Sequence, residues 1–150
     1  MITTVFGADD FIKDWVAKRL NIEGFGPSVA IGIQSDSQLI GGVVYHDWRN
    51  GQIEASIATS SPGWATRSVL HVIFAFPFSQ VGVNRILVTC DASNKKAMKM
   101  NNQLGFTQEG VLRQLYPPHD GIVWGMLHNE CKWLRSKRNG QVKANTAANT

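Results

Sequence analysis

Between Ser28 and Thr59 the chain places three strand-like runs almost end to end. Ser28 to Ile33, Leu39 to Tyr45 and Gln52 to Thr59 are apolar and rich in β-branched residues, a composition that suits a pleated, half-buried surface. The links between them, Gln34-Ser35-Asp36-Ser37 and Trp48-Arg49-Asn50-Gly51, are turn chemistry. Parallel neighbours need a crossover of roughly a dozen residues or more. Links this short therefore predict three antiparallel neighbours, and the other elements must attach to that frame.

Before the frame, Ile2 to Phe6 reads as an edge strand. Phe11, Ile12, Trp15, Val16 and Leu20 then share one face at helical spacing, with Asp9 or Asp10 in position to cap. Gly24, Gly26 and Pro27 break the chain. After the frame, Ser60 to Gly63 is a small-residue loop. Trp64 to about Phe76 is helical, and Pro77 is expected to kink or end that helix. Asn84 to Cys90 is a compact strand. Ser93 to Leu104 is a helix closed by Gly105, where a left-handed cap belongs. Thr107 to Tyr116 and Ile122 to Leu127 are strands, and His128 to Leu134 a short helical end. The order is strand, helix, three strands, helix, strand, helix, strand, strand. It predicts a mixed α/β (α+β) layer fold without internal repeats.

A chain of 150 residues suits one domain that buries about 70% of the surface its unfolded form exposes. With 43% hydrophobic and 17% charged residues it is globular rather than disordered. No apolar run approaches the roughly 18 to 20 residues of a membrane span, and Met1 to Asp10 lacks the basic start and apolar stretch of a signal peptide. Cys90 and Cys131 form no Cys-x-x-Cys pair and have no histidine at ligand spacing. The expectation is two buried thiols, no metal and a cytoplasmic setting. Part of the net charge of +4 comes from Lys132, Arg135, Lys137, Arg138 and Lys143. From Ser136 the apolar period is lost, so residues 1–135 are expected to fold and 136–150 to form a flexible basic tail.

Two segments suggest chemistry. In Ser60-Ser61-Pro62-Gly63-Trp64-Ala65-Thr66-Arg67 a strand runs through a small-residue loop into a helix start. Unpaired N–H groups and the helix dipole favour an anion there, and Arg67 adds a cation one turn in. In Cys90-Asp91-Ala92-Ser93-Asn94 a strand leads into a helix. Asn94 reads as a cap or as an amide facing an amide-rich ligand.

Asn94-x-x-Ala97, then Leu104-Gly105-Phe106, then Glu109-Gly110-Val111-Leu112-Arg113 resemble the C-terminal half of a GNAT N-acetyltransferase. The branch of the ribosomal-protein N-terminal acetyltransferases is the most similar. Gly63-x-Ala65-Thr66 resembles the end of that family's cofactor loop, and Phe76-Pro77-Phe78 before Val81-Gly82-Val83-Asn84-Arg85 also fits the branch. The likeness spans Gln52 to Leu134. It implies a splayed, mostly antiparallel sheet flanked by helices, with acetyl-CoA between the strands at Gln52 to Thr59 and Asn84 to Cys90. By the same resemblance Ile57, Ala58 and Thr59 would meet the pantetheine arm. Gly63, Trp64, Ala65 and Thr66 would hold the pyrophosphate through their N–H groups, and Asn94 would contact the pantetheine or the leaving side. Two positions depart from the family pattern: the Gln/Arg position of the loop is Ser60, and a tyrosine common seven residues after the asparagine is here Asn101.

The implied reaction is direct attack of a neutral primary amine on the thioester. The acceptor would be a protein N-terminus, a lysine or a small amine. Glu54 is the base candidate, since alternation puts it with Gln52, Ser56 and Ala58 on the strand that would line the cleft. His46-Asp47 and His119-Asp120 are alternatives, and Tyr116 and Trp48 are candidates for the acceptor side. Acetyl-CoA and an amine acceptor are the expected partners, a homodimer is compatible, and neither membrane nor nucleic acid is expected. Two other readings stay open: an acyl-CoA-binding protein with lost or altered catalysis, and a nucleic-acid- or protein-binding module built on the basic tail.

Overall fold

A computed structural model describes residues 1–135; the basic stretch from Ser136 to Thr150 lies outside the described residues. The strands are β1 (Ile2–Val5), β2 (Ser28–Ser35), β3 (Gln38–Arg49), β4 (Gln52–Thr59), β5 (Arg85–Asp91), β6 (Thr107–Tyr116) and β7 (His119–Leu127). The helices are α1 (Asp9–Leu20), α2 (Arg67–Ala75) and α3 (Lys95–Leu104). The strands form one sheet in the order β1-β2-β3-β4-β5-β7-β6. Every neighbouring pair is antiparallel except β4 and β5. The mixed, mostly antiparallel sheet flanked by helices is therefore as the sequence predicts.

The central meander is tighter than its turn chemistry alone suggests. β2 runs to Ser35 and β3 from Gln38 to Arg49, leaving two-residue turns at Asp36-Ser37 and Asn50-Gly51. All four turn residues have positive φ, the conformation that matches the twist of a hairpin. Near its end β3 carries an irregularity between His46 and Arg49, with Asp47 at φ 52.

Helices cover both faces of the meander. Ile12 and Val16 of α1 pack with Ala30, Val44 and Ala58 on one face. Val69, Leu70, Ile73 and Phe74 of α2 join the larger core on the other, with Tyr45, Ile53, Ile86, Trp124 and Met126. The Tyr45 hydroxyl donates to the Ile73 carbonyl and ties α2 to β3. No helix among the described residues is long and apolar enough to cross a membrane.

Several local expectations change. Neither Asp9 nor Asp10 caps α1. The N-cap is Ala8, and the Asp9 carboxylate instead accepts from the Ala30 N–H at 3.0 Å, which satisfies a strand donor. Phe11 and Leu20 are exposed, and α1 buries Ile12, Val16 and Ala17. α2 starts at Arg67 rather than Trp64, because the Thr66 side chain accepts from the Val69 N–H at 3.3 Å and so defines the N-cap. Pro77 ends the α-helical hydrogen bonding, but the chain keeps coiling as a π-helical turn, Phe76–Val81, up to Gly82. The closing segment is two 3₁₀ turns, His128–Glu130 and Lys132–Leu134.

Candidate active site between the splayed strands

β4 and β5 pair only at their first residues: Gln52 with Arg85, Ile53 with Ile86 and Glu54 with Leu87. Beyond Glu54 the two strands diverge, although β4 stays paired to β3 as far as Thr59. The direction of the β4 backbone groups follows from one bond. Ser60 N–H donates to the Ile40 carbonyl at 2.8 Å, towards β3. Backbone groups of successive strand residues point to opposite sides. Those of Ala58 and Ser56 therefore face β3, and those of Ala55, Ile57 and Thr59 face the gap. The Thr59 carbonyl, one of the groups turned to the gap, accepts from the Arg19 guanidinium at 3.3 Å. Of the three residues expected along the pantetheine arm, Ile57 and Thr59 turn backbone groups into the gap. Those of Ala58 lie in the ladder opposite Gly42.

A cleft of about 1090 Å³ opens at the divergence. Ala55, Ser56 and Ile57 line one wall and Val88, Thr89, Cys90 and Asp91 the other; Asn94, Ala97 and Asn101 close one end. Asn94 caps α3, its Oδ1 accepting from the Ala97 N–H at 3.1 Å, so its amide N–H₂ is the part left for a ligand. Asn101, where the resemblance would put a tyrosine, is buried beside the cleft. The other end of the cleft is lined by Phe25, His46, Asp47, Trp48 and Glu54, and by Leu112, Leu115 and Tyr116 from β6.

At the apex stands a group of polar side chains on the α1 face of the sheet. Glu54 lies opposite His46 in the β3–β4 register. Burial raises its carboxyl above the ordinary glutamate range; His46 draws it down and Asp47 pushes it up. His46 is buried, with the Phe25 ring 5.2 Å away. Its Nδ1 lies 2.6 Å from Asp47 Oδ2 and its Nε2 2.9 Å from Ser56 Oγ. His46, Asp47 and Glu54 bring ligand atoms within 4.8 Å of one another, a spacing a metal also uses, but both ring nitrogens of His46 are already hydrogen-bonded. Across the cleft the Tyr116 hydroxyl is 3.0 Å from Thr89 Oγ1. Burial raises the Tyr116 phenol, and the Thr89 hydrogen bond opposes it.

The structure thus unites Glu54, the His46-Asp47 pair, Tyr116 and Trp48. It does not bring in His119-Asp120. His119 Nδ1 lies 3.2 Å from Asp91 Oδ2 and from Ser93 Oγ, and Asp120 accepts from the Gln114 N–H at 2.9 Å. The loop after β4 is partly self-satisfied: Trp64 N–H donates to Ser61 and Thr66 N–H to Trp64, and the Trp64 side chain is buried. Gly63 and Ala65 contribute no such backbone donation. Arg67 reaches the Arg135 carbonyl at 3.4 Å and sits over the Trp133 ring. Ser56 is the polar side chain at the apex that sequence reasoning did not single out. Its signal was available, since two residues along β4 from His46's direct partner it is a diagonal cross-strand neighbour.

No family model matches the sequence. An uncharacterized N-acetyltransferase of Bacillus subtilis (strain 168), derived from the SPbeta prophage, is 26% identical over 129 residues, covering 79% of this chain and 71% of that protein. A dodecameric spermidine N-acetyltransferase from Vibrio cholerae superposes with a TM-score of 0.68 at 14% identity, over 85% of this chain and 94% of that one. The ribosomal-protein-S5-alanine acetyltransferase from Vibrio fischeri gives 0.58 at 20% identity, over 70% and 64%. The chain shares its mixed, mostly antiparallel fold with these acetyltransferases.

Proposed function

We propose that the protein is an N-acetyltransferase, moving an acetyl group from acetyl-CoA to a primary amine by direct attack on the thioester. The observation that carries this reading is the divergence of β4 from β5 beyond Glu54, with the Ala55, Ile57 and Thr59 backbone groups turned into the gap. An amide-rich pantetheine arm can take the place of the missing strand, and N–H groups there can polarise a carbonyl. The pyrophosphate is assigned to the loop Gly63, Trp64, Ala65 and Thr66. The free donors there are the Gly63 and Ala65 N–H groups, with the first turn of α2 behind them. Asn94 contributes its amide N–H₂ to the cosubstrate.

Glu54 takes the proton from the amine. A carboxyl raised by burial suits a base better than an ordinary exposed glutamate does. The demand on it depends on the acceptor. Neutralising a lysine near pH 7.5 costs roughly 4 kcal/mol, and an α-amine under about 1 kcal/mol. A single partly buried carboxylate therefore favours a protein N-terminus, the acceptor type of the ribosomal-protein branch, over a lysine. The buried, unpaired thiols of Cys90 and Cys131 suit a reducing compartment such as the cytoplasm.

The test is an acceptor screen with acetyl-CoA that scores released thiol and acetylated product, run beside thermal melting. Acetyl-CoA at a hundred times its dissociation constant should add about 2.7 kcal/mol of stability. No rise in melting temperature at millimolar acetyl-CoA, with no heat of binding, would overturn the reading.

A further inference from the structure

Asp47, His46 and Ser56 form a hydrogen-bonded series that direct attack by an amine does not require. The Asp47 carboxylate can only accept. At 2.6 Å from His46 Nδ1 it holds the proton of the neutral ring on that nitrogen. Nε2 is then the acceptor, and the Ser56 hydroxyl at 2.9 Å is its donor. A hydroxyl bonded to a base that is itself oriented by a third group is the arrangement that activates a serine nucleophile. Local structure holds it in place. The irregularity at the end of β3 turns Asp47, at φ 52, back onto its own neighbour, Phe25 walls one side of the ring, and His46 is only 8% exposed. Ser56 is half-buried and lines the cleft where β4 leaves β5. The next residue, Ile57, turns its N–H into the gap, where it can serve as an oxyanion donor.

We propose that Ser56 is a nucleophile, activated by His46 and oriented through Asp47, which accepts the acyl group of an acyl-CoA in this cleft and gives the chain a second, ester-forming route. The donor in this proposal rests on the acyl-CoA reading of the cleft. Ser56 Oγ attacks the thioester carbonyl carbon, and the hydroxyl proton passes to His46 Nε2. The C–S bond breaks, the proton passes to the leaving thiolate, and free thiol departs, leaving an ester on Ser56. Water attacks that ester with His46 again taking a proton, the C–O bond breaks, and the proton returns to Ser56 Oγ as the acid is released. An amine acceptor discharges the ester in the same way. Without an amine the protein therefore hydrolyses acetyl-CoA slowly.

Two readouts test this on the full chain. A fluorophosphonate probe, which needs no acyl-CoA, should label Ser56. Incubation with acetyl-CoA and no amine, then acid quench and mass spectrometry, should find one acetyl group on Ser56. Both modifications should vanish in Ser56→Ala. In Asp47→Asn, where the altered side chain is 73% exposed and folding is not at issue, both should slow about 10²-fold or more. An unlabelled, unacetylated Ser56 in a protein whose melting temperature rises with acetyl-CoA would overturn the nucleophile and leave the acyltransferase standing. A labelled Ser56 with no response to acetyl-CoA would uphold the activated serine and overturn acyl-CoA as its donor.

Discussion

The wall of the cleft built on β4 lies in a part of the sheet that helices cover on both faces. The β7–β6 arm beyond the other wall is open along its outer strand. α1 packs on the β2–β4 side through Ile12 and Val16, and α2 packs on the opposite face. β6, by contrast, is exposed from Thr107 to Leu115, with Val111, Leu112 and Leu115 all presented to solvent. The difference also shows in what the glycines touch. A Cβ on Gly42 of β3 would come within 2.7 Å of Val16 Cγ2 and 2.9 Å of Ile12 Cγ2, so α1 sits directly on the backbone there. On β7, a Cβ at Gly125 would meet the tips of the Glu109 and Arg85 side chains. The covered half holds His46, Asp47 and Glu54, while from the open half Leu112, Leu115 and Tyr116 line the cleft.

Disabling the carboxylate on the covered side should have the largest effect. Glu54→Gln keeps the shape and removes the base, so acetyl transfer should fall about 10²- to 10⁴-fold for an acceptor that is mostly protonated. The loss should shrink as pH rises towards the acceptor's own pKa, because the amine then arrives neutral. The carboxyl is raised by burial, so the parent protein loses its base form, as pH falls, at a higher pH than an ordinary glutamate would. That acid limb should be missing from the variant's profile. A variant matching the parent at every pH would remove Glu54 from the chemistry.

Gly42→Ala comes next. It should lower stability by about 1–3 kcal/mol in denaturant titration, because neither Ile12 nor Val16 can yield without lifting α1. Gly63→Val should act on the ligand instead. A Cβ at Gly63 meets nothing within 4 Å, so the fold should hold, while acetyl-CoA affinity falls about tenfold, or 1.4 kcal/mol. Unchanged affinity would move the pyrophosphate away from this loop. Gly125→Ala should cost least, under about 1 kcal/mol, since it displaces a partly exposed ion pair whose ends can swing into solvent. Equal losses for Gly42→Ala and Gly125→Ala would erase the distinction between the two halves.

Much of this was legible in the sequence because it is local. The meander, the Thr107 to Tyr116 strand, the Gly105 cap and the whole span of β4 follow from periodicity and turn chemistry over a few residues. The misreadings are tertiary. Asp9 looked like a cap by position, yet Ala30 on a neighbouring strand offered its carboxylate a buried donor. Trp64 looked like the start of a helix, but the larger core takes its side chain and Thr66 supplies the cap. Alternation put Glu54 on the face of β4 that the structure gives it, opposite His46 and beside Ser56. The union of Asp47, His46 and Ser56 depends on an irregularity at the end of β3 and on a diagonal contact. The Thr89–Tyr116 bond passes over an intervening strand, and no local pattern encodes that.

Amide hydrogen exchange along β4, with and without acetyl-CoA, tests the central claim most directly. The Ser56 and Ala58 N–H groups lie in the ladder with β3, and those of Ile57 and Thr59 face the gap proposed for the pantetheine arm. Ser56 and Ala58 should exchange slowly in both conditions. Ile57 and Thr59 should exchange quickly in the free protein and slow markedly once acetyl-CoA saturates it. If Ile57 and Thr59 exchange as quickly at saturation as in the free protein, the gap between β4 and β5 is not where the cosubstrate binds.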